Sequence, residues 1–419
     1  MIRRRPAAPA NGGKMNRHCP LWAALWAASA ANAAGVSITV THELETARPD
    51  AVIAVPFAQI AKVAPELRMY HVVVRDPKGR ALPSQITNYQ HDHHGVDYDD
   101  LVFSYDFAAG EKRAVFTLEP TDAATPPEPP CVYARFVPER LDDMAWENDR
   151  IAHRTYGFAL NSPAADVVHE RLRGSGIDIW GKRVAYPIID RWYPKGHDQF
   201  HQDGEGEGLD LYSIGGSRGD GGTGVWDGGK LWTSDNFVGQ QVLSNGPRRA
   251  AFTLTYAPWD AGAVGKVQET KQFTVDCGVN FDAVSSTFDF MSAEAVVGLG
   301  LSDHPQEKNF PAGVLTKDPQ GRWMSLWEEN KDGGLGVAVI LAAGAEPAGF
   351  AHEDPPKTPG IGNHLLLVKA HDGVPVRYFI GAGWNRSGQF TDRASWENHV
   401  KAFAAGVASP LAIVVSARP

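Results

Sequence analysis

The chain has 419 residues, 43% of them hydrophobic, with 40 Lys and Arg against 49 Asp and Glu for a formal net charge of −9. An apolar fraction of that size supports a sizeable core, and the scattered acidic balance lacks the concentrated basic surface that nucleic acid requires. The 43 glycines and 29 prolines point to many turns rather than long helices.

The amino terminus reads as an export signal. Met15-Asn-Arg-His is a short basic start, Leu21 to Ala31 a short apolar run, and Ala31-Asn32-Ala33 a small-residue cleavage site. Residues 1–34 are therefore expected to be leader and signal peptide, cut near Ala33, with translation starting at Met1 or Met15. The mature product is expected in the periplasm or outside the cell. No later segment has the roughly 20 apolar residues of a membrane helix, so no membrane partner is expected after cleavage. Cys19 precedes the apolar run; the mature chain keeps Cys131 and Cys277, which can pair in an oxidising compartment or stay as two buried thiols.

Beyond the leader the pattern is strand-like. Val36 to Thr41 alternates with period two, and Tyr70–Arg75, Leu101–Phe107, Ala114–Leu118, Ala250–Tyr256 and Lys271–Val275 are β-branched or aromatic runs. Val284–Phe290, Gly336–Leu341, His364–Val368 and Val376–Ile380 follow the same pattern. Helical periodicity is confined to Ser395–Ala405 and Phe57–Ala64. Strands without intervening helices predict a mainly β fold of antiparallel sheets, packed as a large sandwich. Thr121 to Pro130 is a proline-rich linker, which divides a small β unit at 35–120 from a larger one at 131–419.

Four segments carry candidate chemistry. In Trp146–Gly157, Glu147, Asn148, Asp149, Arg150, His153 and Arg154 crowd between Trp146 and Tyr156. The arginines suit a carboxylate, the acids and His153 suit proton transfer, and the alternative is an ion-pair knot bracing the fold. If the segment is one strand, Glu147 and Asp149 share a face and Asn148 and Arg150 the other. The second segment, residues 191–212, sets His197, His201, Asp203, Glu205, Glu207 and Asp210 among glycines, suiting acid–base work or a divalent metal. The third, Gly215–Lys230, is glycine-dense but lacks the spacing of a phosphate loop; Trp226 and Trp232 are candidate sugar platforms. The fourth, His91–Asp100, has three histidines with Asp97, Asp99 and Asp100, which suit calcium or a softer metal or simply form a polar hairpin tip. Gly381–Gly388, with Trp384 and Arg386, is a candidate further wall.

Phe136-Val-Pro-Glu-Arg, the run Asp143–Gly157, Ser175–Arg183, the loop His201–Tyr212, Asn245-Gly-Pro-Arg-Arg and Gly381-Ala-Gly-Trp together resemble one family across nearly all of the mature chain. It is an uncharacterised family of exported bacterial proteins, catalogued as a domain of unknown function, whose members resemble proteins found with pectin- and uronate-degrading systems. Two features depart from its pattern: the His201–Asp210 loop is one residue longer, and the fourth segment is histidine-rich and ends Asp99-Asp100-Leu101. The resemblance implies a fold similar to the large sandwich of sugar mutarotases and polysaccharide lyases, which does not fix a function.

The expectation is an exported carbohydrate-active protein, a lyase or glycoside hydrolase for uronate-containing, pectin-like oligosaccharides. The alternatives are a non-catalytic sugar-binding protein and a sugar epimerase or mutarotase. His201, Asp149, Glu207 and Tyr156 are the expected catalytic groups. Trp146, Glu147, Asn148, Arg150, His153, Arg154, Asp203, Asp210, Trp226 and Trp384 are the expected substrate contacts. No cofactor is required by this chemistry, with calcium the candidate cation; the expected partner is a carbohydrate. Convergence of Asp149, Arg150, His201 and Glu207 in one open cleft would favour the enzyme; burial of Trp146–Tyr156 with its charges paired would favour a scaffold.

Overall fold

β-Branched and aromatic side chains fit a pleated, half-buried surface, and among the described residues they build five sheets whose strands pair antiparallel, with two isolated parallel bridges, Gly157 to Phe237 and Ile177 to Gly219, besides. The computed structural model describes residues 35–418, apart from 68–70, 90–97, 122–127, 162–173 and 356–359. The expected leader, most of the proline-rich linker and residues 91–97 of the histidine-rich segment lie outside the described residues. The mainly β, antiparallel architecture expected from the sequence is the observed one. Among the described residues no helix is long and apolar enough to cross a membrane.

Near the amino terminus a five-stranded sheet faces a three-stranded one. Alternation in Val36–Thr41 buries Val36, Ile38 and Val40 completely. They pack with Val74, Phe116 and Leu118 against Ile53, Val55, Leu101 and Phe103 of the facing sheet. The strand Ala412–Ala417 pairs with Val36–Thr41 along its whole length, and Leu411, Ile413 and Val415 join the same core. This unit therefore takes an edge strand from the far end of the chain.

A second, larger core joins three sheets. A nine-stranded sheet runs from Phe237–Asn245 to Val314–Lys317. Its Phe252, Phe273, Val339 and Ile380 meet Met144, Trp146, Ile151 and Ile179 of one five-stranded sheet, and Val225, Leu299 and Leu366 of another. The helix Arg393–Ala408, capped by Asp392 and Ser395, covers the other face of the nine-stranded sheet through Trp396 and Val400, four residues apart on one helical stripe.

The two cores are tied at one corner. Gln85 reaches across: its Nε2 donates to Ser244 Oγ at 3.0 Å and its Oε1 accepts from the Arg248 and Arg249 amides at 2.7 Å. Asn245 exchanges two side-chain bonds with the Ala134 backbone. Cys131 and Cys277 form a disulfide across 146 residues, so the pairing alternative is the one realised. Closing so long a loop restricts the unfolded chain, so replacing both cysteines by serine is expected to lower stability by roughly 2–5 kcal/mol. Denaturant titration of the oxidised and double-mutant proteins checks this; an unchanged midpoint would refute it.

Candidate functional site

The segment Trp146–Gly157 is a hairpin, not one strand. Asp143–Glu147 and Ile151–Thr155 pair antiparallel, and Asn148–Arg150 forms the turn. Asn148 makes that turn: its Oδ1 accepts from the Arg150 and Ile151 amides, and its Nδ2 donates to the Asp276 and Val279 carbonyls. Asp149 accepts from the Gly278 amide at 2.7 Å beside the disulfide, and Arg150 pairs with Asp50 at 3.0 Å. Asp149 and Arg150 therefore belong to the corner between the cores. Their grouping with His201 and Glu207 does not occur.

Strand alternation sends the other residues of the hairpin to two buried faces. Inward, Trp146 donates its Nε1–H to Asp282 at 2.7 Å and stacks on His153. His153 lies between Asp282 at 3.3 Å and Asp220 at 3.5 Å, all three fully enclosed. Burial pushes the His153 imidazole down to about 3. Burial likewise pushes the Asp282 carboxyl up to about 7 against the Trp146 hydrogen bond. At neutral pH His153 is an uncharged core histidine, not a titrating ligand group.

Outward, Glu147 and Lys182 form an enclosed ion pair at 2.5 Å. Lys182 also donates to the Asn148 carbonyl, and Glu147 accepts from the Ile188 and Ile189 amides. Arg154 bonds Asp178 and Asp210, each at 2.8 Å, with its guanidinium over the Tyr156 and Trp180 rings. The Tyr156 hydroxyl donates to Asp178 at 3.1 Å. Trp146, Glu147, Asn148, His153, Arg154 and Tyr156 are all buried; all but His153, whose ring nitrogens only approach Asp220 and Asp282, hold hydrogen-bond partners inside the protein, so the ion-pair knot is what the segment forms. A charge leaves water only when a partner replaces its hydration, and each of these has one.

The loop 191–212 packs as two short helices, Ile189–Trp192 and His197–Phe200, over Trp180. Asp203 pairs with Arg183 and accepts from the Gly208 amide, while Glu205 pairs with Lys195. Glu207 accepts from Tyr186, Arg191 and Trp192. Burial alone would raise its carboxyl, and these donors hold it below the ordinary value instead. Gly208 has φ +127°, and a Cβ there would lie 1.9 Å from the Gly181 carbonyl oxygen, so glycine is what lets this strand pair. Much of the glycine-dense third segment is sheet: Asp220–Asp227 is an interior strand, second in its five-stranded sheet, and residues 228–230 face solvent. Trp226 packs on a small apolar cluster with Leu231, Leu365 and Leu367, and Trp384 is buried with its Nε1–H on the Asp332 carbonyl at 2.9 Å. Trp384 therefore offers no free face, while Trp226 is partly exposed and lies outside the cleft described next. Asp99 accepts from the Tyr89 amide and Asp100 lies 3.6 Å from Arg249, which fixes both in local structure.

Among the described residues an open cleft of about 430 Å³ takes His201 and Asp210 from the residues named above as catalytic or binding groups, while Glu207 lines a separate, much smaller depression of about 40 Å³. The His201 Nδ1–H donates to the Asp210 carbonyl at 3.0 Å, which holds the ring at the cleft edge. The Asp210 carboxyl, anchored below by Arg154, is raised well above the ordinary value by burial and by Asp178. Facing the same cleft are two groups the sequence did not single out, His304 and Glu328. His304 follows the strand Glu294–Asp303; Glu328 is on Trp323–Asn330. The His304 Nδ1 meets Glu328 Oε2 at 2.7 Å, its Nε2–H donates to the Ser213 carbonyl at 2.6 Å, and its ring stands edge-on to Tyr212. Burial lowers the His304 imidazole, but the Glu328 hydrogen bond and charge and the Ser213 carbonyl outweigh it, so its affinity for the proton is raised. The only sequence signals were an isolated His-Pro after an apolar run and a Glu-Glu pair within an aromatic strand. The Gly381–Gly388 segment backs the far wall, where Arg386 donates to the Lys331 carbonyl.

Two outcomes follow from this geometry. Glu147→Gln leaves Lys182 enclosed without a counter-charge and is expected to cost about 3–5 kcal/mol, readable by denaturant unfolding. An unchanged midpoint would remove the pair from the scaffold. A raised histidine stabilises the fold while protonated and loses that contribution as pH rises through its folded value. Glu328→Gln should therefore lower the melting temperature more at about pH 6 than at about pH 9. An equal loss at both would show that the contact is not charge-dependent.

Comparison with known proteins gives a relative and a family. An uncharacterised protein, P7, from Formosa agariphila is 35% identical over 287 residues, 68% of this chain and 69% of that protein. Among solved structures, an α-mannosidase from Enterococcus faecalis V583 aligns at a TM-score of 0.47 and 10% identity, covering 92% of this chain and 46% of that one. A protein of glycosyl hydrolase family 38 from Enterococcus faecalis aligns at 0.47 and 10%, covering 93% and 48%. This chain thus spans about half the length of those two proteins. A family model described as a domain of unknown function (DUF4861) matches residues 40–413, from within the first strand to within the last. The chain belongs to that family.

Proposed function

We propose that the protein is an exported carbohydrate-active enzyme whose cleft holds an oligosaccharide and hydrolyses it. The observation that carries this reading is the presence of His201 and the His304–Glu328 pair on the walls of one open, polar cleft. Hydrolysis of a glycosidic bond needs a proton for the leaving oxygen and a carboxylate on the other side of the scissile carbon. His201, held at the cleft edge by the Asp210 carbonyl, supplies the proton in its doubly protonated imidazolium form. Glu328, oriented by His304, supplies the carboxylate that attacks or activates water.

The charge of the lining narrows the substrate. Asp210, Glu307, Glu328, Glu329 and Asp332 line the cleft against Lys331 and the His304 imidazole, which is already paired with Glu328. Such a lining repels a contiguous polyanion. It supports neutral oligosaccharides, or pectin-like ones with isolated uronates, one of which Lys331 can meet. The lyase version has less support, because the groups it was built on are not in the cleft. Arg150 is held by Asp50 and Tyr156 is enclosed, and neither lines this cleft.

The test is incubation of the mature protein with neutral and uronate-bearing oligosaccharides, following new reducing ends and the ultraviolet absorbance of unsaturated products. New reducing ends without absorbance are expected, and Glu328→Gln and His201→Ala should each lower kcat by about 100-fold or more. Saturable sugar binding with no cleavage across the panel would instead identify a binding protein. Full activity in Glu328→Gln would overturn the roles assigned here.

A further inference from the structure

We propose that Asp303, His352 and His364 form a site for a divalent transition cation of the zinc class. The sheet register creates it. His352 and His364 are directly opposed on the neighbouring strands Glu346–Glu353 and Gly362–His371. Asp303, at the end of Glu294–Asp303, is opposed to Gly362, two residues before His364 and so on the same face. Three adjacent strands thus present two imidazoles and one carboxylate to one point.

The donor atoms already converge. The two His352 and His364 Nε2 atoms lie 2.7 Å and 3.4 Å from the two oxygens of Asp303. All three ligand atoms are within 4.8 Å of one another. Zinc–ligand distances near 2.0–2.2 Å put tetrahedral donors ~3.3 Å apart, so side-chain movements of an ångström or so suffice. The other ring nitrogen of His352 faces the exposed Asp354 carboxylate at 3.5 Å, which a small side-chain movement would turn into the carboxylate–histidine–metal arrangement. Two nitrogens and one oxygen suit zinc and its first-row neighbours rather than calcium, which takes oxygen donors. The half-exposed side chains of Asp303 and His352 leave a coordination position open to water. A second cluster, Cys131, Asp149 and Cys277, offers no such site, because its sulfurs are joined in the disulfide.

The position gives the cation a task. Asp303 precedes His304, and Gly362 follows Ile361, both on the cleft wall. A bound cation would cross-link the three strand ends that carry this wall and so stiffen the base from which His304 enters the cleft. Cation binding does not depend on the hydrolase reading.

The test uses untagged mature protein, stripped with chelator and titrated with Zn²⁺ by calorimetry and with Co²⁺ by visible spectroscopy. Saturable binding, Co²⁺ ligand-field bands and a zinc-dependent rise in melting temperature are expected. His352→Ala and Asp303→Asn should each remove one equivalent, and Asp354→Asn should weaken binding about 10- to 100-fold. His352 is partly exposed, so its variant is expected to fold, with circular dichroism as the check. No saturable binding by the wild type, or stoichiometry unchanged in folded His352→Ala, would overturn the proposal.

Discussion

Arg154 is enclosed among carboxylates, and much of the molecule is arranged around satisfying it. Its guanidinium bonds Asp178 and Asp210, each at 2.8 Å, and lies over the Tyr156 and Trp180 rings. A buried cation without those partners would cost several kcal/mol. The constraint fixes three neighbouring strands in register, because each supplies one member: Ile151–Thr155, Asp178–Lys182 and Gly208–Asp210. Once Asp210 is held, its carbonyl holds His201 at the cleft edge. The charge network is thus scaffold, and its outermost effect is to aim one histidine.

The opposite wall is built on a different principle. His304 and Glu328 come from strands of two different sheets, so their meeting depends on how the large core packs rather than on any local turn. Tyr212 stands against the His304 ring, and its hydroxyl accepts from the Ser302 amide at 3.2 Å. Ser213 takes the remaining His304 proton. The chain leaving Asp210 therefore supports both walls: its first residues carry the His201 contact and its next two brace His304.

Legibility in the sequence followed exposure. Strands with one wet face, such as Val36–Thr41 and Lys266–Asp276, alternate in burial and are visible as alternation. The helix Arg393–Ala408 shows the same effect at helical period. Strands buried on both faces, such as Asp143–Glu147 and Asp178–Lys182, have no alternation to read, and their charges imitate a ligand site. Polarity in a sequence marks a need for partners, and internal partners satisfy that need as well as a substrate would.

By itself the sequence determined the strand-rich composition, the antiparallel character, the helices Phe57–Val63 and Arg393–Ala408 and the crowding of charges at Trp146–Gly157, since these are properties of neighbours along the chain. Only the tertiary structure decided what those charges do. Lys182 is 35 residues from Glu147, and Asp210 is 56 from Arg154. Glu328 is 24 residues from His304, and Ala412–Ala417 completes a sheet begun at Val36. Coulombic and hydrogen-bond pairing act through space over a few ångströms, so the chain's order of residues states which groups exist, while the packing of the sheets states which of them meet each other and which are left to meet a ligand.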